Sequence, residues 1–438
     1  MCKLYNSLSF FILLSFISLN SRAQNNPPSD SLGLTTVIQQ VIDNYPSIKK
    51  AEQDIEAANA RIGLAKSAYY PLIGIAATYT RLGPVTSLTI PTLGTFTMNA
   101  ADNYDMELDY NQVLYDFGKT SGKVDLEKQS KQLSQLSLEQ LKQQLSLSLL
   151  NNYYSILYLQ EAINIKDEEL KTLNEHLTFV KKQEATGSST QYAILSTQVR
   201  ISTTENQKTD LQTSLQILKS QLNSFLGNPQ EQSLAVKEEL LSPVLLDTND
   251  KLINHAYLLR EELKIARQRS EIASTRYHNV GLTNYPEFSL FAAGGFKNGY
   301  IPELNVIKAN YVAGLSFKFP LFDGNKVKYS KLQIQTEMNS IEQDTELTNR
   351  NIANEVIENK SNVDATLKKI RQQELQLKQA QQAYELAQTS FQAGTITNLD
   401  LLDSETALAE SRLALIKSKI DYTVSLLKLK IATGEHIY

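Results

Sequence analysis

From Asn325 to Ala393 the chain runs 69 residues without a glycine or proline, and from Lys119 to Thr186 it runs 68 with only Gly122, in the first turn, as a breaker. At 1.5 Å per residue each run predicts a helix about 100 Å long. A helix of that length outruns any compact core and has to pack as a rod against other rods. Each run meets a glycine, Gly187 or Gly394, followed by 39 residues free of glycine and proline, 188–226 and 395–433. That order reads as a helical hairpin turning at the glycine, the residue that most easily takes the left-handed conformation closing a helix. Ile156, Leu159, Ile163, Leu170, Leu173, Leu177 and Val180 fall at coiled-coil spacing along the first rod.

The two hairpins belong to an internal duplication. Asp116 in Leu-Tyr-Asp-Phe-Gly and Asp323 in Leu-Phe-Asp-Gly lie 207 residues apart, as do Gly187 and Gly394, and Gly227 and Gly434. Upstream, Tyr70-Pro71 matches Tyr285-Pro286 at an offset of 215, so the first copy carries 8 extra residues, and 82–97 is expected to be a loop. Before each Tyr-Pro the apolar residues recur at helical spacing, which predicts shorter helices over Leu34–Ala68 and Leu252–Arg276. The chain therefore divides into a first repeat (24–227, with a β-hairpin over 71–116), a polar linker holding Pro229 and Pro243 (228–250), and a second repeat (251–438, with a β-hairpin over 286–323).

Between the helices the period changes from 3.6 to 2. Tyr104, Met106, Leu108 and Tyr110 alternate with Asp105, Glu107, Asp109 and Asn111, giving one apolar and one acidic face. Three further segments alternate likewise: Ile73 to Thr80, then Phe288 to Phe296, then Tyr311 to Phe319. A soluble sheet with one buried face shows the same alternation, as do the lipid-facing strands of an outer-membrane barrel. Four strands cannot close a barrel, and open edges are not tolerated in lipid, so the membrane reading requires other subunits.

Met1–Ala23 reads as a secretory signal, with Lys3, an apolar core over 8–19 and small residues at Ser21 and Ala23. Downstream no run of 18 apolar residues occurs, so a membrane crossing by helices is not expected. Lys3 and Arg22 are the only charges before Gln24, which leaves 41 bases and 47 acids after it and argues against a nucleic-acid partner. The single cysteine, Cys2, falls inside the signal, excluding disulfides and thiolate chemistry from the mature chain. His176, His255, His278 and His436 show no ligand spacing, and no phosphate loop or nucleophile–base pattern is present, so no metal, no cofactor and no enzyme activity are expected.

The duplicated helix–strand–strand–helix plan, the two Tyr-Pro pairs, Leu-Tyr-Asp-Phe-Gly, Leu-Phe-Asp-Gly and the segment Phe-Gln-Ala-Gly-Thr-Ile-Thr-Asn-Leu-Asp-Leu-Leu-Asp-Ser-Glu at 391–405 resemble the TolC-like outer-membrane efflux family over essentially the whole mature chain. The resemblance implies a mainly α fold with a membrane β-barrel. In it a homotrimer builds a 12-stranded barrel in outer-membrane lipid, continued by a long α-helical coiled-coil tunnel, with an equatorial belt from the N-terminal region, the linker and the C-terminus. It implies a passive exit duct for tripartite efflux or type I secretion, with a periplasmic adaptor docking at the tips Gly187 and Gly394 and an inner-membrane transporter supplying energy. Asp400 and Asp403 would ring the closed periplasmic neck. Six crowded carboxylates repel, so some are expected to titrate high. The first repeat carries Ala193 and Ser196 at those offsets. Phe391 and Ile396 stand where the family's gate has a tyrosine and an arginine, so hydroxyl and guanidinium links are expected to be missing. Asp105, Glu107 and Asp109 would face the barrel lumen. The reading of a different class is a periplasmic coiled-coil adaptor or scaffold never inserted in a membrane.

Overall fold

A computed structural model describes residues 31–438, so the signal segment expected at 1–23 lies outside the described residues. The first copy contains α1 (Leu34–Asn44), α2 (Pro46–Ser67), β1 (Leu72–Arg81), β2 (Ser87–Ile90), β3 (Gly94–Thr97), β4 (Asp102–Tyr115), α3 (Lys119–Ala185) and α4 (Gln191–Leu226). The second contains α5 (Asn249–Leu259), α6 (Glu261–Leu282), β5 (Glu287–Lys297), β6 (Lys308–Lys318), α7 (Lys326–Gln392) and α8 (Asn398–Ala432). Matching helices have 11, 22 and 67 residues in both copies, and the last pair has 36 and 35.

Two expectations are corrected. The helix expected over 34–68 is two helices, because Pro46 holds Tyr45 in extended conformation (φ −68°, ψ 132°) and starts a new helix at its own position. The second copy breaks at the matching residue, Arg260 (φ −61°, ψ 129°), without any proline, and its helices run from 249 to 282 rather than 252 to 276. There the buried guanidinium bonds Glu262 at 2.9 and 3.0 Å, Glu355 at 2.9 Å and the Ala432 carbonyl at 3.2 Å. A cation at the last carbonyls of α8 complements that helix end, and it stacks α6 end to end on α8. In the first copy Tyr45 makes the same junction by lying against Phe225 of α4, ring centroids 5.5 Å apart. The other correction is the loop over 82–97. It holds a hairpin in which Leu88 pairs with Phe96 and Thr89 with Thr95.

The family-like Asp motifs have a local cause. Asp116 accepts the backbone N–H of Gly118 and Thr120 at 3.1 and 2.7 Å, and Asp323 accepts those of Asn325 and Val327 at 2.9 and 3.0 Å. Each carboxylate thus satisfies otherwise orphaned donors at the start of a 67-residue helix. Phe117 and Gly118, and then Gly324 and Asn325, take positive φ to swing the chain out of the strand.

The four long strands form one antiparallel sheet in the order β1-β4-β5-β6. One row across it is Ile75, Leu108, Gly294 and Tyr311, and the next is Ala76, Glu107, Gly295 and Asn310. The apolar face is bare in one protomer, with Tyr311 89% and Leu315 74% exposed. Gly295 permits close approach of β5 to β4, since a Cβ there would run into the Met106 carbonyl. β1 and β6 are edges, each with one row of backbone groups unpaired.

Below the sheet the helices form a curved layer. In the upper half α6 lies between α3 and α7, with α2 outside α3; in the lower half α8 lies between them, with α4 outside α3. The core is strung along these rods in separate clusters, the largest joining α1 to Leu149, Leu150, Tyr153 and Ile156 of α3. Around this level the 228–250 segment is tied on by tyrosines. The Tyr153 hydroxyl lies 2.6 and 3.0 Å from the carbonyls of Lys237 and Leu32, Tyr154 donates to Glu239, and Tyr422 accepts the Val244 N–H. No described helix is long and apolar enough to cross a membrane.

Candidate functional site

At the far end of the long rods both hairpins close with the same turn. Gly187 and Gly394 each take φ +75°. Ser188 N–H donates to Gln183 O and Gly187 N–H to Glu184 O, while Thr395 N–H donates to Ser390 O and Gly394 N–H to Phe391 O. This double bond pattern with a left-handed glycine is a Schellman closure. Thr190 then caps α4 and Thr397 caps α8 through their hydroxyls.

Asp400 completes a reciprocal capping box at the second tip. It accepts the Thr397 N–H at 2.9 Å and hydroxyl at 2.6 Å, while Thr397 Oγ1 accepts the Asp400 N–H at 3.2 Å. Those bonds, the side-chain one first, hold the Asp400 carboxyl below the ordinary carboxylate value within one protomer. Asp403 lies one turn further on and is bonded to Arg200 of α4 at 2.9 Å. Ile396 offers no guanidinium, and the one bonded at this tip, Arg200, comes from the other hairpin. Phe391 is turned inward, edge-on to His176 (5.2 Å) and Phe179 (6.2 Å) of α3, and Ile396 is half-buried.

Asn398, between these residues, ties three helices together. Its Oδ1 accepts the His176 Nε2–H at 2.6 Å, and its Nδ2 lies 3.1 to 3.3 Å from Ser196 Oγ, Ala193 O and Thr197 Oγ1 of α4. Ala193 and Ser196, the first-repeat counterparts of Asp400 and Asp403, thus act as acceptors for this amide. Burial holds the His176 imidazole below its usual value, with the Asn398 bond opposing.

Further up the rods a charged cluster is sealed between the hairpins, and sequence reasoning did not single it out. Lys166 and Glu169 of α3 pair at 2.8 Å with both side chains buried, and Thr204 donates to Glu169 at 3.2 Å. Glu405 of α8 is 6% exposed and packs between Leu401, Leu402 and Leu408. A lone acid in that apolar stripe was the available signal.

On the sheet, Asp105, Glu107 and Asp109 share the face opposite Tyr104, Met106 and Leu108, and Asp105 stands in one row with Thr78, Lys297 and Lys308. Among the described residues, no group of three or more His, Cys, Asp or Glu side chains is placed to hold a metal ion.

Residues 37–228 and 252–435 match the family model described as outer membrane efflux protein. The chain is 20% identical over 431 residues to the outer membrane protein TolC of Salmonella enteritidis, covering 96% of this chain and 84% of that one. It is 25% identical over 423 residues to the alkaline protease secretion protein AprF of Pseudomonas aeruginosa, covering 92% and 85%. The crystal structure of the outer membrane protein VceC from Vibrio cholerae superposes with a TM-score of 0.75 at 20% identity, covering 92% of this chain and 97% of that one.

Proposed function

The chain belongs to the outer membrane efflux protein family, and from that premise we propose that it is a gated exit duct of the outer membrane, built as a homotrimer and conducting cargo passively from the periplasm to the exterior. The observation that carries the reading is the pair of open edges, β1 and β6, on a sheet whose apolar face is bare. In lipid those backbone rows must be paired. Three copies supply 12 strands and a lumen, whereas two supply eight, which side chains fill. The flanking helices repeat the argument below the sheet: Leu195 and Val199 on α4 and Leu375 and Leu386 on α7 are exposed in the lone protomer. Joining α4 of one copy to α7 of the next covers both and closes the tunnel.

In this assembly Asp105, Glu107 and Asp109 face the lumen. The tips at Gly187 and Gly394 meet a periplasmic adaptor, through which an inner-membrane transporter delivers cargo and energy, as in efflux pumps and type I secretion systems. The duct is not an enzyme. Fractionation and planar bilayers test the reading: the protein is recovered in the outer membrane, light scattering in detergent gives a trimer, and the trimer conducts. Recovery in the soluble periplasm would instead identify an adaptor or scaffold.

Asp400 and Asp403 form the neck of the duct in this reading. With Asp400 kept ionised by its capping bonds, the neck favours cations. Replacing both by Ala reduces cation preference and block by multivalent cations several-fold while the trimer still forms, since both side chains are exposed and Thr397 still caps α8. A double mutant with unaltered selectivity and block removes them from the pore lining.

A further inference from the structure

Four carboxylates and three cations meet where α8 packs against α3 and α4, above the tips. Lys166 holds Glu169 at 2.8 Å, Arg412 holds Glu168 at 2.9 Å and Arg200 holds Asp403 at 2.9 Å. Every cation is committed to a carboxylate other than Glu405. Glu405 is 6% exposed, and its Oε1 is buried without a hydrogen-bond partner. It borders a cavity of about 90 Å³ shared with Glu169 and Thr172 of α3 and with Gln381 and Tyr384 of α7, which has room for about two or three waters. A buried carboxylate without a partner is costly, and the same group carrying a proton is far less so.

We propose that Glu405 is a proton-operated latch for the closed end of the duct: as a carboxylic acid it lies between the hairpins and lets α8 pack on α3, and as a carboxylate it is driven out and loosens α8. The inference rests on the duct reading above. On release the O–H bond breaks, its electron pair stays on the carboxylate, and the proton passes to water in the cavity. Burial first, and then the Glu169 charge, push the Glu405 carboxyl up to about 8, with Arg200 pulling the other way. The Tyr384 phenol is itself pushed upward by burial, and by the charges of Glu405 and Glu175, so it stays neutral over this range.

The sign follows from linkage. An acid whose value is raised when packed stabilises the packed state fully below its ordinary 4.5, and that stability drains as pH rises, until it is gone above about 8. The ratio of open to closed channels therefore climbs by up to about tenfold per pH unit between these values and then levels off. His176 works in the opposite sense, because its buried neutral form favours packing at higher pH.

Conductance of the reconstituted trimer in planar bilayers from pH 5 to 9 tests the latch. The wild type opens progressively up to about pH 8 and then reaches a plateau. Glu405→Gln, which keeps the shape but cannot ionise, stays closed and loses the rise. A wild-type trimer that conducts equally at all these pH values overturns the latch and leaves the duct reading standing, as does a Glu405→Gln profile identical to the wild type. Should the variant fail to assemble, or no channel conduct, hydrogen exchange on the wild-type protein, corrected for intrinsic rates, decides. Segments 165–173 and 401–412 lose protection between pH 5 and 8, and constant protection there overturns the latch.

Discussion

Replacing Lys166 by Met lowers the stability of the lower tunnel by about 3–5 kcal/mol, the usual cost of stranding one member of a buried ion pair. Lys166 and Glu169 have only 10% and 3% of their side chains accessible. Once the ammonium is gone, Glu169 keeps a single bond, from Thr204, and faces the unpartnered Glu405. The small cavity it shares with Glu405 offers only a few waters in place of the ammonium. Hydrogen exchange in 160–175 reads the effect: protection falls by about two to four orders of magnitude wherever local opening controls exchange. Adding Glu169→Gln to the Lys166→Met protein restores most of the loss, because an amide carries no charge to strand. A single mutant as protected as the wild type would show that the pair contributes nothing.

The second large effect is on gating. Asn398→Ala removes every side-chain bond joining the start of α8 to His176 on α3 and to Ala193, Ser196 and Thr197 on α4. Two hydrogens shared among three acceptors, plus one accepted bond, amount to roughly 1.5–3 kcal/mol once exchange with water is counted. An equilibrium biased by that amount shifts about 10- to 150-fold toward the open tip. The trimer survives, since the residue sits at the solvent end of the hairpins and the Thr397 cap remains. Single-channel recordings check this as open probability, and a mutant that stays as closed as the wild type would assign closure to the Arg200–Asp403 link and the packing of Phe391.

Much of the architecture is legible along the chain, because it is set by interactions spanning a few residues. Runs without glycine or proline permit only long helices. Gly187 and Gly394 supply the left-handed residue each tip requires, and their identical φ of +75° follows from identical local sequence logic. Asp116 and Asp323 bond to donors within four residues. The constant offsets even anticipate helix lengths that agree to one residue between the copies. Pro46 belongs with these features: the break at Tyr45 was written in the sequence as a proline on a helical face.

The break at Arg260 was not, since an arginine is a good helix former and nothing nearby forbids the helix from continuing. It exists because the guanidinium reaches Glu355 and the last carbonyl of α8, both distant along the chain. The tip follows the same rule. Arg200 and Asp403 are 203 residues apart, and Asn398 and Ser196 are 202 apart. Pairing such groups depends on how the second hairpin settles against the first. Residue type and period determined that this chain makes duplicated hairpins and two-faced strands. Which polar groups end up sealed together, with Glu405 left without a partner, was decided only by tertiary packing, because burial and hydrogen-bond geometry belong to the contact between helices and not to either helix alone.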